Sequence, residues 1–504
     1  MFHSGVPAVL LVVPGVVCLL SCSRSQITSA GTTTLHIGVA VPNEATPGSG
    51  LNALVDLLTM EPLVSVALDG REVPRIASGW SWEDGRQRLI VRLRNNVVFH
   101  DGTPLTSELV ANVLRGSVAS GEFPSFSNIA GVSATGDTVE LRLHTADAFV
   151  LPDLAWISIA LPQKAGIGTG PYRLEPRQDK TIVLSSFDGY HRGRPSIDRV
   201  EVRGYPTQRK TWSAMMRGDI DMLYDVSREA ADFMEAETTV KTFSFPRAYY
   251  IPLVFNVRHP VLGRPEVRRA LNIAVDKTAA VRDGLRNRGR PAESPIWPQH
   301  WANDPSYRSF GFDPAAARAA LDAAGLPLMR ESPSAMPKRF SFTCLVFGDD
   351  SRFERLALVL QKQLFDVGVD MKLERASARQ LITRAAKGDF DAFLFELASA
   401  RSLSYLYYFW HSPGPGSRLN TGYRAADPAL ERMRHAISDE ESRAATADLL
   451  QVLREDPPAI FIAWQQQARA VSARFDVPDE PQRDIMGSVW QWRVRPASQV
   501  QAAR

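Results

Sequence analysis

The apolar residues of this chain change their period part-way along, and that change confines it to a mixed α/β fold. Leu35-Ile37-Val39 alternates with His36-Gly38-Ala40, Leu89-Val91-Leu93 with Ile90-Arg92-Arg94, and Val139-Leu141-Leu143 follows the same rule. A period of two is that of a strand with one buried face. Thr181 to Leu184 and Val200 to Val202 continue the β pattern. From Val267 the spacing becomes helical: Val267, Leu271, Ala274, Val281 and Leu285 fall along one helix face, with Thr278 between them. Phe353, Leu356, Leu360, Leu364 and Val367 repeat it, Gly368 stands at the C-cap position, and Val369-Met371-Leu373 then alternates as a strand. Asp313-Pro314, followed by an alanine-rich run to Gly325, has the N-cap, N1 proline and terminating glycine of another helix. Strand-rich sequence comes early and helix–strand alternation late. No repeat of 20 to 50 residues is visible, which argues against a solenoid or propeller.

The length, 504 residues, allows about two to four domains. With 44% hydrophobic and 22% charged residues, the chain is not a disordered tail. Its 58 basic residues face 55 acidic ones with no long basic run, so nothing marks a nucleic-acid binder. The three cysteines, Cys18, Cys22 and Cys344, make no disulfide framework. Val6 to Leu20 is apolar but shorter than the roughly 20 residues a membrane span needs, and it suits the core of a signal peptide. It ends in Leu19-Leu20-Ser21-Cys22, which resembles a bacterial lipobox. Residues 1–22 are therefore expected to be a signal peptide with Cys22 as the lipidated residue, and 23–33 a flexible tether. An export signal cut slightly later, or a wrongly chosen start codon, is the alternative, because Met1 to Pro7 carries no Lys or Arg and Leu20 is bulky for its place.

Catalytic motifs are missing. None of the nine histidines lies three or four residues from another, so no helical metal pair forms locally. There is no Cys-x-x-Cys and no Gly-x-Ser-x-Gly. Gly166-Ile-Gly168-Thr-Gly170 lacks dinucleotide-loop spacing and precedes a strand, so it reads as a tight turn. We expect a protein that is not an enzyme and carries no cofactor and no bound metal.

One stretch is far more specific. Ile76-Ala-Ser-Gly-Trp80-Ser-Trp82-Glu-Asp-Gly85 leads through Leu89-Ile-Val-Arg-Leu-Arg94 to Val98-Phe-His-Asp-Gly-Thr-Pro-Leu-Thr106. It resembles the signature of family 5 of the bacterial extracellular solute-binding proteins, the peptide- and nickel-type receptors of ABC importers. The likeness recurs in order at Gly168-Thr-Gly-Pro-Tyr172, at Tyr190-His-Arg-Gly-Arg-Pro195 with Asp198, and at Arg217-Gly-Asp-Ile-Asp221. It continues at Phe255-Asn256 with Pro265 to Leu271 and Ala274 to Lys277, and at Gly388-Asp-Phe-Asp391.

The resemblance implies a two-lobed periplasmic-binding-protein-like α/β fold of the large type II class, with an extra subdomain and a hinge between lobes. Lobe I would comprise 34–57, 179–252 and 472–504, the extra subdomain 58–178, and lobe II 253–471. The implied protein is an exported receptor, periplasmic or at the cell surface and lipid-anchored to the envelope through Cys22, monomeric, free of nucleic acid, and partnered by ABC permease subunits. Its implied ligand is a peptide or similar small organic solute. A metal chelate, or a chaperone or sensor role outside import, is the alternative. Peptide-binding members place an acid after the Gly-x-x-Asp strand to hold the peptide ammonium. Here Ala398, Ala400 and Arg401 stand where acids are common, and Glu396 is the carboxylate left. Candidate ligand-binding residues are therefore Phe347, Asp349, Glu396, Arg401, Tyr405, Trp410 and His411, the last three from the aromatic run Tyr405 to His411.

Overall fold

A computed structural model describes residues 32–40, 49–161, 164, 166–176, 181–226, 237–330, 332–334, 336–412, 419–478 and 482–496. The signal-peptide and lipobox reading, with Cys22, lies outside the described residues. A mixed sheet of twelve strands dominates the described residues. Its order runs Tyr172–Leu174, Thr181–Ser186, Arg199–Tyr205, Thr34–Ala40, Met222–Leu223, Ala459–Ser472, Val240–Phe255, Ala392–Leu394, Phe340–Phe347 and Val369–Ala376. Gly289–Pro291 and Leu397–Ala398 attach to the two long strands at its centre. Each flank is an α/β unit. Thr34–Ala40 runs parallel to Arg199–Tyr205, and Phe340–Phe347 runs parallel to both Val369–Ala376 and Ala392–Leu394. The central strands, Val240–Phe255 and Ala459–Ser472, pair antiparallel and belong to both flanks.

The sequence periods explain the elements. Leu89, Val91, Val139 and Leu141 are wholly buried on one face of a separate four-stranded antiparallel sheet, under the helix Ser107–Ser120. Thr106 caps that helix by accepting from the Leu109 amide, as its place before an apolar run predicts. The helix Ser351–Phe365 buries Phe353, Leu356, Leu360 and Leu364, and Gly368, at φ +87°, turns the chain into the next strand. The face expected from Val267 to Leu285 is not one helix. Pro265–Ile273 ends, Asp276 caps a new turn by accepting from the Ala279 amide, and Lys277–Ala279 leads into a π-turn over Ala280–Gly284. All five apolar residues are still buried, so period registered burial but not the break.

Within that first helix, Arg268 is 1% exposed. Its guanidinium donates to the carbonyls of Pro457 (2.7 Å) and Leu262 (2.6 Å) and pairs with Asp456.

Gly168 and Gly170 are wedges rather than a turn. A Cβ on Gly168 would sit 2.1 Å from the Thr59 carbonyl oxygen, and one on Gly170 2.6 Å from the Thr59 carbonyl carbon. The Gly170 amide donates to the Thr59 carbonyl at 2.9 Å. His100 clasps the same segment: Nδ1 accepts from the Gly168 amide (3.3 Å) and Nε2 donates to the Gly170 carbonyl (3.0 Å). Burial lowers the His100 pKa, which keeps the neutral ring that this bonding needs.

Asp153 gives the fold a pH dependence. It is 1% exposed, and burial pushes its carboxyl up to about 7, with the nearby Asp147 adding to the rise. Ser125 donates to it at 2.5 Å, and Ser404 and Arg434 oppose the rise. A native value raised above the unfolded one of about 3.9 stabilises the fold below that value and loses the contribution as pH climbs to about 7. Between pH 5 and 8 the urea midpoint is expected to fall, and Asp153→Asn to flatten the slope. Identical slopes in the two proteins would refute the assignment.

Candidate functional site at the strand crossing

The two long strands do not pair evenly. Val240 to Pro246 pairs in register with Ser472 to Gln466, the register shifts between Pro246 and Tyr250, and Tyr250 then pairs with Trp464. Phe243 and Phe245 alternate with less buried neighbours before the shift, whereas Tyr250 to Phe255 are all buried after it. The chain thus passes from a strand with one covered face to one with two.

Polar side chains collect at this break. Arg247 donates to Gln465 Oε1 at 2.7 Å and lies 3.5 Å from Glu396 Oε2, while the Gln465 amide donates to the same carboxylate oxygen. The Arg247 guanidinium rests 4.4 Å from the centroid of the Tyr249 ring. Tyr249 pairs with Ala398, and the Ala248 carbonyl accepts from the Ser399 amide at 2.8 Å, so the segment after Glu396 is tied to the break itself. Ion pairs bridge the flanks here. Arg288 meets Asp225 at 2.9 Å, and Arg469 holds both oxygens of Asp484 at 2.6 Å while covering Tyr224 at 3.8 Å.

The seven candidates from the sequence separate into three groups. Glu396 and Arg401 belong to the crossing. Arg401 lies with its guanidinium 5.5 Å from the Trp297 centroid and close enough to Arg483 and Asp484 to feel their charges. Burial and Arg483 lower its pKa. Phe347 and Tyr405 are half-buried packing residues. Phe347 meets Phe353 and Phe395 edge-on at 5.6 and 5.3 Å, and Tyr405 meets Trp156 of the smaller sheet's domain at 5.7 Å. Asp349 is exposed in a turn; its neighbour Asp350 is the engaged acid, capping the next helix and pairing with Arg352.

Trp410 and His411 are engaged elsewhere. Ser404–Trp410 is a short helix, and Leu406 and Trp410, four residues apart, share its inner face. Trp410 is 2% exposed, donates to the Tyr250 hydroxyl at 2.9 Å and packs edge-on against Phe461, so it is a core residue. His411 stacks on Tyr407 at 4.2 Å and sits 3.0 Å from Glu431. Its ring is engaged away from the crossing, and among the described residues no three His, Cys, Asp or Glu side chains converge as metal ligands would. The sequence reading missed Arg247, Tyr249 and Gln465. A signal did exist: Gln465-Gln466-Gln467 ends the apolar run Ala459 to Trp464.

Two α/β lobes sharing continuous strands, with polar groups gathered where the pairing breaks, define a hinged binding protein. The chain belongs to the bacterial extracellular solute-binding proteins, family 5, whose middle-region model matches residues 71–417. It is 23% identical over 399 residues to the probable D,D-dipeptide-binding periplasmic protein DdpA of Escherichia coli K12, covering 75% of each chain. It is 26% identical over 324 residues to the glutathione-binding protein GsiB of Shigella boydii, covering 60% of this chain and 61% of that one. NikA from Brucella suis, solved in complex with Fe(III)-EDTA, has the same fold: TM-score 0.79 at 18% identity, over 91% of this chain and 100% of that one. Among the described residues no helix is long and apolar enough to cross a membrane.

Proposed function

We propose that this protein is the extracytoplasmic receptor of an ABC importer, which captures a peptide or similar small organic solute between its lobes and delivers it to a permease. It performs no chemistry on the solute. The observation that carries this reading is the break at Arg247 to Tyr249: the strands joining the lobes lose their pairing there, and Glu396 and Gln465 converge on the same point. A joint that can bend beside polar groups lets a solute favour the closed arrangement through contacts with both sides. In this reading the lobes have the boundaries expected from the sequence, the monomer is exported, and Cys22 anchors it to the envelope.

A second reading, of a ligand that is not a free peptide, draws on one observation. Ala398, Ser399 and Ala400 follow Glu396, and Glu396 is already shared by Arg247 and Gln465. Native mass spectrometry of protein purified from its own bacterium separates the two. A ladder of peptide masses supports the first and a single non-peptide mass the second. A protein that retains no solute, and whose radius of gyration does not fall on adding peptide pools, contradicts the receptor role.

A further inference from the structure

We propose that Arg401 receives a carboxylate of the solute, and that the solute need not bring an ammonium group to Glu396. The inference rests on the receptor reading above and names the chemistry of its ligand.

Charge accounting at the crossing leads to it. Arg247 is matched by Glu396, Arg352 by Asp350, and Arg469 by Asp484. Arg401 is matched by nothing: among the described residues its side chain has no ion pair and no hydrogen bond, and its Nε is shielded from solvent. The rest of the guanidinium reaches solvent, so its two terminal nitrogens are open to an incoming anion. Asp484, the acid whose charge acts on it, already has both oxygens on Arg469.

The backbone points the same way. Ala400 and Arg401 adopt φ of +54° and +59°, left-handed values that residues with a Cβ adopt at a cost. The segment is fixed there by the Ser399 amide on the Ala248 carbonyl (2.8 Å) and the Ser402 amide on the Ser399 carbonyl (3.0 Å). Strain of this kind persists where surrounding structure enforces it, and here it sets the direction of one cation. The Trp297 face limits where the planar guanidinium can lie, which suits the two-oxygen, in-plane acceptor that a carboxylate presents. Glu396 offers the opposite: an incoming ammonium would have to displace Arg247 and Gln465 before reaching it.

The test starts from the solute that the wild-type protein retains from its bacterium, identified by native mass spectrometry and fragmentation. That solute, its methyl ester and, where it carries an amine, its N-acetyl form are titrated calorimetrically into stripped wild type, Arg401→Gln and Arg401→Lys. The solute is expected to carry a carboxylate, and wild type to bind it at least tenfold more tightly than the ester. Arg401→Gln should bind both carboxylate and ester at the ester's level, Arg401→Lys should fall between, and N-acetylation should cost wild type no more than about threefold. Stripped Arg401→Gln should also match or exceed wild type in urea midpoint, since it loses a cation with no partner; a clear drop would mean that Arg401 is structural and overturns the inference. A solute without an acidic group, or equal binding by wild type and Arg401→Gln, overturns it too and leaves the receptor role standing. Retention of no solute, with no fall in radius of gyration on adding peptide pools, overturns both.

Discussion

Replacing Arg268 with alanine is expected to destabilise the protein by about 3–5 kcal/mol, the range for removing one partner of a buried, hydrogen-bonded charge pair. The side chain reaches from the helix Pro265–Ile273 to the loop before Ala459–Ser472, and it satisfies the Pro457 and Leu262 carbonyls as well as Asp456. Truncation strands these acceptors and opens a cavity. Methionine fills most of the volume, so the difference between the two variants divides packing from polar loss. Lysine should rescue poorly, because one ammonium cannot cover acceptors in three directions. Urea denaturation followed by tryptophan fluorescence measures the effect, and a loss under about 1 kcal/mol for alanine would show that the network contributes little.

Gly168→Ala and Gly170→Ala should each cost about 3 kcal/mol or prevent folding, at the severe end of overpacking. Besides Met60 Sδ, which faces Gly168, the atoms in the way are backbone at Leu58 and Thr59, which cannot rotate aside as a side chain can. Yielding would break the Gly170 amide to Thr59 carbonyl bond and loosen the His100 clasp. Gly116→Ala is the control. It lies inside the helix Ser107–Ser120 with nothing within 4 Å of its would-be Cβ, so it should gain roughly 0.5–1 kcal/mol. Yield, limited proteolysis and urea midpoints compare the three. A Gly168→Ala protein as stable as wild type would refute the wedge.

Much of the fold was legible because single-faced burial writes itself into the sequence. The strands Thr34–Ala40, Arg88–Leu93 and Thr138–Leu143 each follow the alternation that marked them. The break at Asp276 was not legible, since the apolar spacing continues across it and only a side-chain cap reveals it. The site was half legible. Glu396 and Arg401 stood out as departures from a family pattern, a signal within one segment. Arg247 and Gln465 meet Glu396 across 149 and 69 positions and each other across 218, and no local period encodes contacts so distant. An aromatic run looks alike on paper whether its rings face a cleft or a core; the buried i, i+4 pair of Leu406 and Trp410 appears only in the structure.

The shift in pairing between Pro246 and Tyr250 has a mechanical meaning. The residues at the fulcrum, Arg247 and Tyr249, are also those that set the surroundings of Glu396. In the receptor proposed above, fulcrum and jaw would be one part, as in tweezers cut from a single strip. Rotation of the lobes about this break would re-aim these side chains, and a contact that re-aims them would in turn favour one lobe arrangement. Changes that stiffen 247–249 should therefore alter solute affinity and the open–closed balance together, because the molecule has one degree of freedom where a separate hinge and site would have two.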